Sequence, residues 1–224
     1  MEVIVTRLGE ARAENRALFR PYKVTREYKL FGKEKHKPKS QILADISFIP
    51  PNSKKFAIQP THGGALGERI VRQMLEGETE AVKQYGATDV SPANYDFRFV
   101  REEEVNGRNC YVLDLLPKRK EKNLLSGSIW VDSKTYMLHR FVGEPGKAPS
   151  WWLRDSRITF FYGDVKGMWL QTGSESSANV RIFGPYTMVS RDVDYEISDS
   201  PSAGVERDPS HGSLTALGHM TVVR

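Results

Sequence analysis

A helix is predicted near the start of the chain, where apolar residues recur at spacings of three, four and seven. Pro21 predicts that this helix ends near Phe19, because the residue before a proline avoids helical geometry. The apolar positions of this first stripe are Ile4, Leu8, Ala11 and Leu18.

A second helix is predicted between Gly67 and Tyr85, where apolar residues return with the same period and charged residues stand between them. Its apolar positions are Ile70, Val71, Met74, Leu75, Ala81 and Val82.

Between these helices the period changes to two, which is typical of half-buried strands. The first strand is predicted over residues 22–30, the second over residues 41–51 and a short third over residues 54–59. On the first strand, Arg26 falls between Val24 and Tyr28 on the apolar face.

After Pro92 the alternation continues almost to the end of the chain, and Asn106-Gly107 between two alternating runs strongly predicts a hairpin. Short connections favour an antiparallel meander, because parallel strands need long crossovers. We therefore predict an α+β fold, with a large curved antiparallel sheet of about ten strands and two main helices that cover its concave face. The later strands are predicted over residues 95–105, 108–117, 127–131, 135–143, 157–163, 168–176, 179–183 and 187–197.

Length and composition favour one domain, over residues 1–197, followed by a flexible tail over residues 198–224 that is rich in Ser, Pro, Gly and Asp. The net charge of +5 is spread over 33 basic and 28 acidic residues, so it indicates only a bias toward anionic partners. The chain has no apolar run long enough to span a bilayer and does not start with a signal peptide.

No enzyme class is indicated by the motifs of the chain, and no cofactor is predicted. Cys110 is the only cysteine, and the five histidines lack the spacing of metal ligands. The segment His62 to Glu68, HGGALGE, could form an oxyanion loop or an anion-binding helix start, but it has no nucleophile partner. A flexible entry to the second helix is the favoured interpretation.

Two basic clusters lie in connections between strands and raise the question of nucleic acid. Neither cluster has the interleaved aromatic residues that stack on bases, so we predict no nucleic-acid partner. Solvated turns, or turns that make transient contact with anionic membrane head groups, fit them better. The clusters are Lys33, Lys35, His36, Lys37 and Lys39, and then Lys118, Arg119, Lys120 and Lys122.

Three arginines fall among apolar residues at two-residue spacing. They are Arg26, then Arg140 between Leu138 and Val142, and Arg191 between Val189 and Val193. Because burying an unpaired charge is costly, each must meet a carboxylate, carbonyls, water or a ligand. Two alternatives stay open: pairing with Asp or Glu or exposure at a sheet edge, or lining an apolar cavity and binding the polar group of a lipid.

Trp151 and Trp152 stand in a connection rich in Gly and Pro, GEPGKAPSWWLRD, at the rim of the predicted sheet. Adjacent residues on an extended segment point to opposite sides, so at most one indole need face the concavity. One tryptophan could close the end of the core while its neighbour packs outside. Alternatively, one indole forms the mouth of a cavity, where an amphipathic ring meets both lipid and water.

The stretch from Tyr111 to Gly143 resembles the outer-membrane lipoprotein-sorting protein family, of the LolA/RseB type. Its shared features are a Tyr-x-Leu-x-Leu strand that ends in Pro117-Lys118, the run GSIWVD from Gly127 to Asp132, and an alternating strand that ends on Arg140. The resemblance is specific over about 35 residues, and the order of helices and strands agrees with it over the rest of the chain.

The resemblance implies an incomplete β-barrel whose concave face, covered by helices, receives acyl chains of lipoproteins or other lipids. It implies a Gram-negative periplasm, with the signal peptide removed, and no catalysis. The function it implies is that of a carrier or binding protein in outer-membrane lipoprotein sorting. The alternative is an RseB-like envelope sensor that binds a protein partner, such as a membrane-anchored one, with the same scaffold.

The residues that we predict to line this cavity are the three arginines and the aromatic residues of the strands and of the tryptophan connection. They are Arg26, Tyr28, Phe97, Phe99, Trp130, Arg140, Trp151, Trp152, Phe160 and Arg191.

Overall fold

The computed structural model describes residues 1–34, 36–60, 65–121, 123–146, 153–180 and 184–198. Several predicted features lie outside these residues: Trp151 and Trp152, the glycines of the HGGALGE segment that precede Ala65, and all but the first residue of the predicted tail.

The two predicted helices are both present. Helix α1 is Glu2–Ala17 and helix α2 is Ala65–Lys83, and a one-turn helix, α3 Tyr85–Thr88, follows α2. Helix α1 stops four residues before Pro21, as the proline predicts. The short α3 carries no apolar period and was not predicted.

The strands form one open antiparallel sheet of ten strands in the order β3-β2-β1-β10-β9-β8-β7-β6-β5-β4. The predicted class, a curved antiparallel sheet with few helices, is thereby confirmed. The only neighbours in the sheet that are distant in sequence are β1 and β10, so the last strand returns beside the first. The strands are β1 Tyr22–Phe31, β2 Ser40–Ile49, β3 Ser53–Ile58, β4 Tyr95–Val105, β5 Arg108–Pro117, β6 Leu125–Asp132, β7 Leu138–Pro145, β8 Leu153–Val165, β9 Met168–Val180 and β10 Gly184–Ile197.

Two tight hairpins join neighbouring strands at positions with positive φ. Asn106 has φ 53° and Gly107 has φ 76°, which is the geometry that the Asn-Gly signal predicts. The β8–β9 connection repeats it with Lys166 at φ 51° and Gly167 at φ 87°.

One predicted strand is not a separate element. Asn179 and Val180, predicted to begin a strand of their own, are the end of the long strand β9, and residues 181–183 lie outside the described part of the chain. The reason is that β9 runs past Ser176 and stays paired with β8 and β10.

The helices pack on the same face of the sheet, which we call the helix face, and they build two separate cores. In the α1 core, Leu8 of α1 packs against strands β4 to β7. In the α2 core, Val71 and Leu75 of α2 pack against strands β1, β2 and β10. The buried members of the α1 core are Leu8, Tyr95, Leu113, Leu115, Leu124, Ile129, Val131, Leu138 and Phe141, and those of the α2 core are Val24, Tyr28, Leu30, Ile42, Ala44, Ile46, Val71, Leu75 and Met188.

The opposite face of the sheet, the outer face, carries a smaller apolar cluster. Cys110, Val112 and Trp130 are buried there, with Val105 and Val142 packed against them. On β5 the alternation is therefore apolar on both sides, since Leu113 and Leu115 enter the α1 core while Cys110 and Val112 face outward.

Candidate functional site

Eight of the ten residues predicted to line a ligand cavity lie within the described part of the chain, and they are divided between the two faces of the sheet. Arg26, Tyr28, Phe97 and Phe160 lie on the helix face, whereas Trp130, Arg140 and Arg191 lie on the outer face. Phe99 lies opposite Leu113 on the edge strand and is 43% exposed. Trp151 and Trp152 lie outside the described residues, and contact of any of the ten with a ligand stays a prediction.

Arg26 is 5% exposed and is paired with internal carboxylates. Its Nε lies 2.5 Å from Asp192 Oδ1 on the neighbouring strand β10, and its Nη1 lies 3.2 Å from Glu78 Oε1 on α2. Lys54 Nζ of β3 contacts the other oxygen of Glu78 at 2.5 Å. For Arg26, the alternative of pairing with Asp and Glu is therefore confirmed, and the cluster ties α2 to the sheet.

The ionised form of Glu78 is stabilised by this cluster. Burial alone would raise the pKa of the Glu78 carboxyl, but the positive charges of Lys54 and Arg26 outweigh it and hold the pKa below its ordinary value. The side chain thus stays charged at neutral pH and holds both cations.

Between the two cores, the central strands carry small polar residues on the helix face. Ser174 of β9 and Ser190 of β10 are buried, and their Oγ atoms are 2.8 Å apart. Tyr28 lies opposite Ser190 in register, and its buried hydroxyl makes no hydrogen bond within the part of the chain that the structure describes. We call this line of residues the seam.

A pocket of about 220 Å³ opens on the helix face beside α1. The segment around α3 forms one side and strands β7, β8 and β9 form the floor. We call it the helix-face pocket, and its walls combine aromatic and aliphatic side chains with two arginines. Its lining residues are Arg12, Asn15, Arg16, Phe19, Tyr85, Val90, Met137, Leu138, Tyr162, Trp169, Leu170 and Gln171.

The floor of this pocket is fixed by hydrogen bonds of Trp169. Its backbone N–H donates to Asn15 Oδ1 at 2.7 Å, and its backbone carbonyl accepts from Asn15 Nδ2 at 2.9 Å. The indole Nε1 donates to the carbonyl of Leu138 at 2.6 Å. Helix α1 therefore holds the backbone of Trp169, and strand β7 holds its indole.

The two arginines of the pocket are held by Tyr85. The Arg16 guanidinium carbon lies 3.4 Å from the centre of the Tyr85 ring. Arg12 donates from Nη1 to the carbonyl of Val90 at 2.6 Å and from Nη2 to the Tyr85 hydroxyl at 3.3 Å. Burial raises the pKa of the neighbouring Tyr162 hydroxyl to about 12, although the positive charge of Arg12 acts in the opposite direction.

Sequence reasoning did not identify Arg12, Arg16 or Trp169 as candidates. The helical stripe was traced through apolar residues only, so the arginines beside it were not considered. A usable signal was present, because Arg12 and Arg16 are four residues apart and adjoin Ala11 and Asn15, which puts both on the border of the buried face.

Arg140 stacks on Trp130 on the outer face, and its guanidinium carbon lies 3.9 Å from the ring centre. Its Nη2 lies 3.8 Å from Glu103 Oε1. The prediction that Leu138, Arg140 and Val142 share a face is wrong. Leu138 belongs to the α1 core, because the register of β7 shifts by one residue at His139, so that Arg140 pairs with Trp130 and Leu138 with Val131.

Arg191 is exposed on the outer face, where a depression of about 410 Å³ lies across strands β8, β9 and β10. Phe161 on β8 is 41% exposed and pairs with Gly173 on β9. Gly173 pairs in turn with Arg191 on β10. The depression is lined by the outer-face residues Phe161, Gly173, Glu175, Val189 and Arg191, together with their chain neighbours Thr172, Ser174, Ser190 and Asp192.

Within the residues that the structure describes, no three His, Cys, Asp or Glu side chains come together in a way that could hold a metal ion. None of the helices in the same ranges is both long enough and apolar enough to cross a membrane.

Comparison with known proteins gives likeness in structure only. No protein-family model and no curated protein sequence matches the chain. Among solved structures, it is similar to a LolA superfamily protein from Nitrosomonas europaea, with 13% identity, a TM-score of 0.46, and coverage of 88% of this chain and 94% of that one.

A Vibrio parahaemolyticus structure described as an outer membrane lipoprotein-sorting protein domain is 14% identical, with a TM-score of 0.42 and coverage of 89% of this chain and 93% of that one. A chain of the Pseudomonas aeruginosa MucA/MucB complex is 12% identical, with a TM-score of 0.26 and coverage of 88% and 98%. The first two carry the family name that residues 111–143 resemble. At these identities and TM-scores, the likenesses do not bear on what the chain binds.

Proposed function

We propose that the protein binds an acyl chain, of a lipid or a lipoprotein, on the helix face and acts as a periplasmic carrier. The observation that supports this best is the helix-face pocket, which combines an apolar floor with a polar rim under a helix. Small-molecule sites commonly have such mostly apolar walls with a few convergent polar groups.

The seam between the two cores is the path along which such a ligand would extend, although Ser174 and Ser190 are buried in the free protein. Helix α1 packs on one half of the sheet and helix α2 on the other, and the seam between them is lined by the short side chains of Ser174 and Ser190. A pocket of about 220 Å³ is smaller than the roughly 300 Å³ at which whole-ligand sites begin. A long acyl chain would therefore continue from the pocket along the seam, with α1 moving outward.

Uptake of a fluorescent acyl probe, together with mass spectrometry of co-purified lipid, tests the proposal. Met137→Trp fills the pocket, and we expect it to weaken probe binding about tenfold. Lys134→Trp, on the exposed side of the same turn, is the matched control and should bind as the unmodified protein does. Absence of both uptake and co-purified lipid in the unmodified protein would refute acyl binding.

A protein partner is the second candidate, and the outer-face depression beside Phe161 favours it. An exposed aromatic ring next to an arginine is the kind of pair that anchors protein interfaces. Pull-down from an envelope extract should then recover one stable partner and no lipid. The partner should be lost with Phe161→Ala and kept with Leu116→Ala, a residue with similar exposure at 47%.

A further inference from the structure

We propose that Arg12 and Arg16 form an oxyanion subsite at the helix-face pocket, and that the bound amphiphile carries a negatively charged head group. This inference rests on the proposed acyl-binding function and adds the chemical class of the ligand. The candidate head groups are a carboxylate and a phosphate, which share the oxygen geometry that guanidinium groups recognise.

The guanidinium charges of Arg12 and Arg16 are not neutralised by a carboxylate among the described residues. Both side chains are half-buried, and neither guanidinium is paired with an Asp or Glu oxygen within the part of the chain that the structure describes. Their partners there are neutral: the carbonyls of Val90 and Pro51 and the Tyr85 side chain. Two adjacent positive charges in partial burial therefore lack a neutralising anion.

Arg26 shows the contrast. It is more deeply buried, yet Asp192 and Glu78 supply two carboxylates to it. An anionic ligand at Arg26 would have to displace one of them. Arg26 therefore has a structural role, whereas Arg12 and Arg16 have no carboxylate partner among the described residues.

The side chains of Arg12 and Arg16 are held in place before any ligand binds. The Arg16 guanidinium carbon lies over the Tyr85 ring, 3.4 Å from its centre, and Arg12 Nη1 donates to the Val90 carbonyl at 2.6 Å. Stacking of a guanidinium on a ring leaves its N–H edge available for in-plane acceptors. Since the side chains are already ordered, little rotamer entropy remains to be lost when a ligand binds.

Apolar side chains lie next to these two cations. Phe19, Trp169 and Leu170 line the same pocket, so a head group at the arginines continues into apolar walls. Exclusion of water strengthens the attraction between a guanidinium and an oxyanion. A free inorganic anion would not use these walls, and an uncharged acyl ester would leave the cations without a counter-charge.

The experiment compares two probes on the unmodified protein, a fluorescent fatty acid and its methyl ester, and two competitors, a single-chain phosphate amphiphile and free phosphate. We expect the acid to bind about tenfold more tightly than the ester, because a hydrogen bond to a charged group adds to affinity. The preference for the acid over the ester should decrease as the salt concentration rises. The phosphate amphiphile shows whether phosphate replaces carboxylate, and free phosphate should not compete.

Arg12→Gln and Arg16→Gln should each bring the affinity for the acid toward that for the ester and leave ester binding unchanged. Arg7→Gln is the matched control, because Arg7 is exposed on the same helix and contacts Glu10. Retained ester binding shows that the variants are folded.

Equal affinity of the unmodified protein for acid and ester would overturn the oxyanion subsite but leave acyl binding intact. Binding of neither probe would instead contradict the proposed function itself. If the glutamine variants do not fold, the comparison of acid and ester on the unmodified protein still decides the question.

Discussion

Asn15 and Trp169 exchange two hydrogen bonds, although they are 154 residues apart in the chain. The amide of Asn15 both donates to and accepts from the backbone of Trp169, at the start of strand β9. Asn15 is 8% exposed, so its amide cannot be replaced by water without opening the contact. The pair fixes the last turn of α1 to the sheet.

Asn15→Ala should destabilise the protein by about 2–4 kcal/mol, because it leaves a backbone donor and a backbone acceptor of Trp169 without partners. Chemical denaturation gives the change through the shift in midpoint at constant slope. Glu14→Ala, at the exposed neighbouring position, should change stability by less than about 0.5 kcal/mol. Equal effects of both substitutions would show that the two hydrogen bonds do not contribute.

Arg26→Met should destabilise the protein by about 3–5 kcal/mol, because Asp192 would remain as an uncompensated buried charge. The side chain of Asp192 is 1% exposed, so water cannot replace the guanidinium. Arg191→Met, one residue from Asp192 but exposed on the outer face, is the control and should be nearly neutral. Adding Asp192→Asn to Arg26→Met should restore part of the loss, and no restoration would contradict the explanation.

Acid should weaken the contact of α2 with the sheet. The pKa of Glu78 is held below its ordinary value of 4.5 in the folded protein. A carboxyl with a lowered folded pKa contributes stability above its unfolded pKa and loses it as pH falls through the folded pKa. The stability gap between the unmodified protein and Glu78→Gln should thus be constant above about pH 5 and narrow below about pH 4.5.

Measuring that gap by denaturation at a series of pH values cancels the titration of other carboxyls, such as Asp114 and Asp132, which have lowered pKa values too. A gap that does not change with pH would mean that the charge of Glu78 is not what holds Lys54 and Arg26.

Glycines in the two helices offer stabilising substitutions. A Cβ at Gly9 or Gly77 would meet no atom within 4 Å. Gly9→Ala and Gly77→Ala should each raise stability by about 0.5–1 kcal/mol, since alanine loses less backbone entropy in a helix. Gly127→Ala is the opposite case, because its Cβ would lie 2.2 Å from the Val142 carbonyl oxygen. Thermal unfolding should show a small rise in melting temperature for Gly9→Ala and for Gly77→Ala, and a large fall for Gly127→Ala.

The period of apolar residues was enough to predict the sheet and both helices. Strand β1 shows why: Val24, Tyr28 and Leu30 alternate with polar residues, and every second side chain enters the α2 core. Its register with β2 is uninterrupted, and the shift in its ladder with β10 puts the extra residue on β10, so the alternation of β1 itself is kept. The prediction that Arg26 shares that face is confirmed for the same reason. Regular alternation survives folding wherever the ladder has no bulge at that point.

Where the ladder is irregular, alternation does not predict the face. The shift at His139 puts Leu138 and Arg140 on opposite faces, and no local residue type marks such a shift. The helix-face pocket could not be predicted for another reason. Arg12 meets Val90 across 78 residues, and such a contact depends on how α1 and the segment after α2 are placed on the sheet.

Because each helix has a core of its own, a substitution in one core should change the free energy of unfolding independently of a substitution in the other. Leu8→Ala in α1 and Leu75→Ala in α2 each remove a fully buried side chain and should each cost about 2–5 kcal/mol. In the double variant the two losses should add to within about 0.5 kcal/mol.

A ligand that extends from the helix-face pocket along the seam would touch both halves at once. It would then act as a cross-link between two halves of one sheet whose cores are separate. The same double-mutant cycle, repeated with ligand bound, would acquire an interaction energy that the free protein lacks.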